Sequence, residues 1–368
     1  MNVLIQLGHP AHFYLYKNVA KNLIADGNQV LFVIKSKDIL ETLLQNAGLP
    51  YVNINQHTHR GSKFGVLWDM LTREIKLIRL CRKHKIDLLT GSTPDVVHVG
   101  WWLRKWRVNT GEDDAAAVPL FGKIAAPFVQ CLTTPIVCDN GIMENKSAKY
   151  PSYQELAYLH PNHFTADAKV VTGYGIDVTK PYFVMRFASL HAHHDKGIKV
   201  INKEIAERLV KILEPFGTIY ITSERPLEPQ FEKYRIKINP LDMHHVMAFA
   251  TLYIGDSQSM ANEAAMLGVP SLRFNDFVGA KKIGVMEEME KVYGVTYGIS
   301  SHEPDQLYAK VEELLAMPNL REEFQARRMK MLAEKIDVTA FLTWFIEHYP
   351  ASAQEAKNAD NDFWKQFK

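Results

Sequence analysis

The sequence predicts an α/β protein built from two doubly wound lobes, each with a parallel sheet. Three observations predict it. Short apolar runs alternate with segments of helical spacing from the first residues onward, which is the pattern of βαβ units. A stretch over 140–180 rich in Gly, Pro, Tyr and Asn breaks that alternation, as punctuation between regular segments does. The alternation then restarts, and 368 residues suit two cores better than one.

In chain order, "VLIQL" reads as a strand buried on both faces, "GHPAH" breaks it, and "FYLYKNVAKNLIADG" carries a helix ending at Gly27. "QVLFVIK" and "YVNIN" read as strands around the helix "DILETLLQNAG". Helices are expected near 64–84, 94–104 and 117–126, separated by strands "DLLTG", "RVNTGE" and "TPIVCD". After the irregular link come the strand "YFVMRF", the helix "GIKVINKEIAERLVKILEPFG" and the strand "TIYITS". A short strand and helix in "KINPLDMHHVMAFA", the strand run "TLYIGDS", a helix over 259–267 and the strand "PSLRF" complete the second lobe. The tail from "FLTWFIEHYP" reads as a helix with a polar, weakly ordered end. The expected domains are 1–165, completed by a C-terminal helix at about 336–350, and 180–335.

Composition narrows the function. The chain is 47% hydrophobic and 23% charged with net charge +2, which implies no nucleic-acid partner. Cys81, Cys131 and Cys138 lack metal-ligand spacing and read as buried free thiols in a reducing compartment. The first residues lack a signal-peptide pattern and no run of about 18 or more apolar residues exists. A cytoplasmic protein is expected.

Four stretches can carry chemistry. In "GDSQSMANEAAMLGVP" a strand feeds Ser257, Gln258 and Ser259 into a helix start, where unpaired backbone N–H groups and the helix dipole favour an anion. Glu263 follows a turn later, able to accept from ribose hydroxyls. The plain alternative is a capping Ser257 and a solvated Glu263. In "LGHPAH", Gly8 ends a strand and His9 and His12 enter the next helix, as phosphate or sugar contacts or as a general base. "RFASLHAHHD" offers Arg186 to a diphosphate, with Ser189 and His191 beside it. Its histidines lack a second ligand group at metal spacing, so no metal is assigned. "GEDD" places Glu112, Asp113 and Asp114 after a strand, as a base, an acceptor contact or helix-start acids. A fifth stretch, "WWLRKWR", admits a lipid-surface contact, but three tryptophans packed inward is the reading preferred.

The chain resembles an uncharacterised family of GT-B-like glycosyltransferases whose first strand runs into a "GHPAH" loop. It is more distantly similar to non-hydrolysing UDP-N-acetylglucosamine 2-epimerases and to the peptidoglycan N-acetylglucosaminyltransferase. The epimerase pattern "D-S-G-G-x-x-E-E" followed by "L-G-x-P" matches here at Ser257, Glu263, Gly268 and Pro270. Gln258 and Ser259 replace the glycine pair, "GHPAH" replaces "G-T-R-P-E", and Arg273 is followed by "FNDFVGAKKIG" instead of "T-E-R-P-E". The resemblance implies two Rossmann-like lobes facing a cleft, with the acceptor on the first lobe and the donor on the second. It implies a glycosyltransferase of cell-surface polysaccharide or glycan synthesis that takes a nucleotide-diphosphate sugar, a UDP-sugar first, and needs no cofactor. The acceptor is a sugar or a lipid-linked sugar, which brings a peripheral membrane contact with it. His12, Asp113 and Asp114 become the catalytic candidates. Gly8, His9, Arg186, Ser189, His191, Ser257, Gln258, Ser259, Glu263 and Arg273 become the donor contacts. A sugar-nucleotide epimerase and a non-catalytic nucleotide-sugar binder remain the alternatives.

Overall fold

The structure is a computed structural model, and it describes residues 1–35, 39–55, 63–188, 201–279 and 283–368. The chain forms two compact units, residues 1–163 with 335–368, and residues 164–334.

Unit 1 is built on β1 (Asn2–Leu7), β2 (Gln29–Lys35), β3 (Tyr51–Asn55), β4 (Leu88–Gly91), β5 (Trp106–Thr110), β6 (Cys131–Pro135) and β7 (Ser147–Tyr150), in the order β3-β2-β1-β4-β5-β6-β7. Every pairing is parallel. The connecting helices are α1 (Pro10–Ala25), α2 (Leu40–Asn46), α3 (Lys63–Lys83), α4 (Pro94–Trp102) and α5 (Pro119–Ala125). Val3, Leu4, Ile5 and Leu7 are wholly buried because helices cover both faces of the sheet, and this is why β1 reads as an unbroken apolar run. Leu77 and Cys81 of α3 and Val96 and Val99 of α4 pack together on one face, while α1 packs on the other with α14 (Val338–Glu347). Asp337 caps α14 by accepting from Ala340 N at 3.1 Å.

Unit 2 is built on β8 (Tyr182–Phe187), β9 (Thr218–Ser223), β10 (Leu252–Gly255), β11 (Ser271–Phe274) and β12 (Thr296–Ile299), ordered β12-β11-β10-β8-β9 and again all parallel. Its helices are α7 (Ala168–Gly173), α8 (Lys203–Leu213), α9 (Met243–Ala248), α10 (Gln258–Met266), α11 (Gly284–Glu288), α12 (Pro304–Leu315) and α13 (Leu320–Glu334) among the described residues, while the short α6 (Leu156–Leu159) belongs to unit 1. Asn202 caps α8 by accepting from Ile205 N at 2.9 Å, and Ile205, Leu209 and Leu213 bury one face of that helix in the unit's core.

Three expectations are corrected. The stretch over 140–180 is not merely a link, because Ser147–Tyr150 pairs with β6 and extends the first sheet. Residues 236–238 form no strand, since the only pairing there is an isolated bridge between Ile221 and Arg235. The tail is packed rather than loose: Trp364 and Phe367 are buried against Phe341 of α14. All three cysteines are free and buried, and burial pushes the thiols of Cys131 and Cys81 up to about 11 and about 12.

Candidate functional site

Buried side-chain polar atoms normally find a hydrogen-bond partner. Those that lack one gather at the carboxyl ends of the strands. In unit 1 they include Gln6 Oε1, Thr93 Oγ1, Asn109 Oδ1 and Tyr150 OH; in unit 2, Arg186 Nε, Asp256 Oδ2 and Arg273 Nη1. This is the edge of an open parallel sheet where ligands bind.

In unit 2 the β10–α10 turn is built by close packing. A Cβ on Gly255 would lie 2.5 Å from the Tyr253 hydroxyl and 2.9 Å from Arg186 Cβ, so only glycine fits. Asp256 is buried; its Oδ1 accepts from Ala188 N at 2.6 Å, and its backbone carbonyl accepts from Asn275 Nδ2 at 3.1 Å. Burial raises the Asp256 carboxyl to about 6, against the Ala188 hydrogen bond and the Arg225 and Arg186 charges. Ser257 is the N-cap of α10, but its Oγ accepts from Met260 N over a long 3.5 Å, a weak bond. Ala261 N closes on Ser257 O at 3.2 Å, whereas the amides of Gln258 and Ser259 donate to no group among the described residues. Glu263 is buried, not solvated, and its Oε1 lies 3.2 Å from Nε2 of His244 on α9. The turn therefore offers two amides and hydroxyls to an anion, with a carboxylate one helical turn behind.

The arginines differ from each other. Arg186 is already engaged, by an ion pair with Glu224 and a 3.3 Å hydrogen bond to Thr222 Oγ1, and keeps only Nε unmatched. Arg273 is 5% exposed on β11, and burial lowers its proton affinity despite the nearby charge of Glu290. A Cβ on Gly298 would lie 2.7 Å from Arg273 Nη2, so this glycine makes room for the guanidinium. Ser189 and His191, with the rest of the histidine run, lie outside the described residues. Among the described residues no group of three His, Cys, Asp or Glu side chains is placed to hold a metal ion.

In unit 1 the β1–α1 turn uses its own donors. His9 caps α1, its Nδ1 accepting from Ala11 N at 3.2 Å, and Pro10 has no N–H to offer. His12 N closes on His9 O at 3.0 Å, and Gly8 N donates to His12 Nδ1 at 3.2 Å. Gly8, expected among the donor contacts, has its amide engaged in this internal bond. His12 is neutral near pH 7, because burial and then the neighbouring His9 lower it to about 4. Since Nδ1 accepts from Gly8, the ring proton sits on Nε2, and His12 presents a donor where a general base needs a lone pair. In this arrangement the His12 base role expected from the sequence would need Nδ1 to release Gly8 N.

The acidic run is resolved by burial. Asp113 is exposed. Asp114 is buried and holds the next loop, accepting from Asp139 N at 2.6 Å. Glu112 Oε1 accepts from Gln154 N at 2.9 Å, and its carboxyl is raised well above the ordinary range by burial and then by the charge of Glu155. Tyr16 of α1 reaches the same edge, bonding Thr90 and Thr110 at 2.9 and 2.7 Å. Glu112 was one acid among three in the sequence, and only the fold singles it out. Asp256 had a sequence signal, its place directly before the capping serine.

No protein-family model matches the chain, and no curated protein matches it in sequence. Solved structures match it in fold. The S. aureus MnaA–UDP complex superposes with TM-score 0.66 at 11% identity, over 95% of this chain and 97% of that one. The UDP-GlcNAc 2-epimerase from Neisseria meningitidis bound to UDP-GlcNAc gives 0.65 at 14%, over 94% and 100%. The spinosyn rhamnosyltransferase SpnG complexed with thymidine diphosphate gives 0.59 at 14%, over 94% and 99%. Two all-parallel sheets in this arrangement of strands are the GT-B fold of glycosyltransferases and UDP-GlcNAc 2-epimerases.

Proposed function

We propose that the chain is a glycosyltransferase that takes a nucleotide-diphosphate sugar, a UDP-sugar first, and passes the sugar to a hydroxyl of a sugar or lipid-linked acceptor in cell-surface glycan synthesis. The β10–α10 turn carries this reading. Its two open amides and the Ser257 and Ser259 hydroxyls suit a diphosphate, which the α10 dipole also favours. Glu263, fixed by His244, suits the two hydroxyls of a ribose. Arg273, a buried cation with an unmatched Nη1, adds positive charge on the adjacent strand. Such a site neutralises a leaving diphosphate by fixed dipoles and cations.

Unit 1 supplies the acceptor side. Its β1–α1 turn engages the amides of Gly8, Ala11 and His12 internally and presents the Nε2–H of His12, which suits a neutral hydroxyl-bearing ligand. The proton of the attacking hydroxyl passes to a carboxylate. Glu112 is the choice over Asp113 and Asp114, since a carboxyl of raised pKa is the stronger base once ionised.

A panel of UDP-, GDP-, dTDP- and CMP-sugars in thermal shift tests the donor, because a ligand of the folded state raises the midpoint. Product analysis then separates the readings. A transferase releases nucleoside diphosphate and an extended acceptor; an epimerase, favoured by the shared Ser257–Glu263 spacing, returns a stereoisomeric sugar nucleotide; a binding protein returns the donor unchanged. No midpoint shift with any sugar nucleotide would sink all three.

A further inference from the structure

The outer surface of α3 and α4 does not match the interior reading of its tryptophans. Trp102, Trp101 and Trp106 are 69, 48 and 40% exposed, and Trp68 of α3 is 64% exposed. The inward packing expected for "WWLRKWR" is therefore corrected: the core positions of α4 are taken by Val96, Val97 and Val99, one turn back. Along α3, Trp68, Leu71, Ile75, Arg79 and Arg82 fall at helical spacing and are all exposed. One outward stripe thus begins apolar and ends cationic.

The two helices end the same way. Among the described residues, only two non-glycine residues have positive φ, Lys85 at 49° and Arg104 at 54°. Each follows a helix end, with Ile86 N bonded to Cys81 O at 2.9 Å and Lys105 N to Gly100 O at 2.8 Å. That is the terminal turn in which glycine is usual, because a side chain is disfavoured in the left-handed region. Here both positions hold a cation. Both lie at the amino edge of the sheet, where α3 leads into β4 and α4 into β5. Trp101, Trp102, Trp106, Arg104, Lys105 and Gln130 line a shallow pocket of about 570 Å3 there.

Three acids of this face are already engaged. Glu74 bonds His98 at 2.6 Å, Asp95 bonds Arg73 at 3.1 Å, and Asp87 accepts from Asn2 N at 2.9 Å. The sequence of α3 holds six Lys and Arg against Asp69 and Glu74. A cationic surface set with exposed tryptophans matches one partner chemistry closely. Indole rings settle at the bilayer interface, and Lys and Arg pair with anionic headgroups. No helix among the described residues is long and apolar enough to cross a membrane.

We propose that the α3–α4 face and amino edge of unit 1 dock the protein peripherally on an anionic lipid bilayer. The inference stands apart from the donor chemistry, which lies in unit 2.

The test is co-sedimentation of the full chain with phosphatidylcholine vesicles and with vesicles that also carry phosphatidylglycerol. Binding is expected to the anionic vesicles, much less to the neutral ones, and to weaken with salt. Two variants then probe the face. The pair Lys85→Gly and Arg104→Gly relieves two left-handed side chains, so thermal stability should hold or rise while partition falls about fivefold per cation removed. The pair Trp68→Ala and Trp102→Ala should lower partition about tenfold with an unchanged far-UV spectrum. Absence of enrichment on anionic vesicles overturns the proposal. So do variants that partition like the parent. Binding to duplex DNA without binding to vesicles would transfer the face to nucleic acid, and a dimer that the tryptophan pair disrupts would assign it to a second copy; either result overturns the lipid assignment.

Discussion

The β1–α1 turn of unit 1 and the β10–α10 turn of unit 2 each join an inner strand of a parallel sheet to the helix that follows, β1 lying between β2 and β4 and β10 between β8 and β11. Both have a side-chain N-cap. They differ in what they leave unmatched. His9 and His12 close much of the first turn on itself, taking up the amides of Gly8, Ala11 and His12, and Pro10 has no N–H. Ser257 caps the second turn loosely at 3.5 Å and leaves two amides open. The lesson is that a helix N-terminus becomes an anion site only when its cap is weak or short.

The largest effect should come from removing the raised carboxyl of Glu112 in unit 1. Glu112→Gln keeps the shape and the acceptor for Gln154 N but cannot take a proton. Turnover should fall by about 10² to 10⁴-fold, the usual contribution of a general base, with donor affinity unchanged. In the parent the acid limb of the rate profile should lie above the range of an ordinary glutamate, because burial and Glu155 raise the Glu112 carboxyl. If Glu112→Gln turns over normally while Asp114→Asn is inert, the base is Asp114 and burial has misled the assignment.

Next comes the anion turn itself. Ser257→Ala and Glu263→Gln should each weaken sugar-nucleotide binding by about 1–3 kcal/mol, the cost of one or two lost hydrogen bonds. Gln is the variant of choice at 263, since alanine would strand the buried His244. Isothermal calorimetry reads both, and parent-like affinity in the two variants would remove the donor from unit 2. The comparison sharpens if the same ligands are tried on His9→Ala, which frees the amide of Ala11 and should leave donor affinity alone.

These two turns also show what a sequence displays. Ser257 and Glu263 stand out because a short strand, small residues and a carboxylate a turn later form a local pattern. The strands of both sheets stand out because burial on two faces writes them as apolar runs. Glu112 does not stand out: "GEDD" holds three acids, and the one whose carboxyl is raised is set apart by Gln154 and Glu155, some forty positions on. His12 is visible as a histidine, but its tautomer is set by the amide of Gly8. β7, "SAKY", has no apolar run to announce it, and the tail's aromatics, three positions apart at Trp364 and Phe367, are diluted among acids.

A pH series should separate the turns further. Asp256, at about 6, is ionised at pH 8 and largely protonated at pH 5. Its charge sits directly before the α10 N-terminus and opposes a diphosphate. Affinity should therefore rise as pH falls through about 6, by about tenfold, equivalent to a one-unit rise in this carboxyl's pKa on binding. The sugar nucleotide must be used rather than the free diphosphate, whose own terminal phosphate titrates in the same range. Asp256→Asn should flatten the series at the low-pH affinity. A slope that survives in Asp256→Asn would remove the effect from this carboxyl.

The smallest effect is expected at His12. As a base it would be worth orders of magnitude. As a donor through Nε2 it contributes one neutral hydrogen bond, about 0.5–1.5 kcal/mol, or roughly two- to tenfold. His12→Ala also frees Gly8 N, so the loss should appear in acceptor KM more than in kcat, with donor affinity unchanged. His12→Gln distinguishes the two roles. A glutamine offers an N–H to the ligand but has no basic lone pair, so it should recover most of the loss if His12 donates. The pH profile adds a second check: a group at about 4 gives no limb near neutrality, whereas the Glu112 carboxyl, raised by burial and Glu155, sets a limb above the ordinary glutamate range. Should His12→Gln prove as inert as Glu112→Gln, with the same pH limb removed, then the ring turns over in the complex, Nδ1 releases Gly8, and the first turn is as open to a ligand as the second.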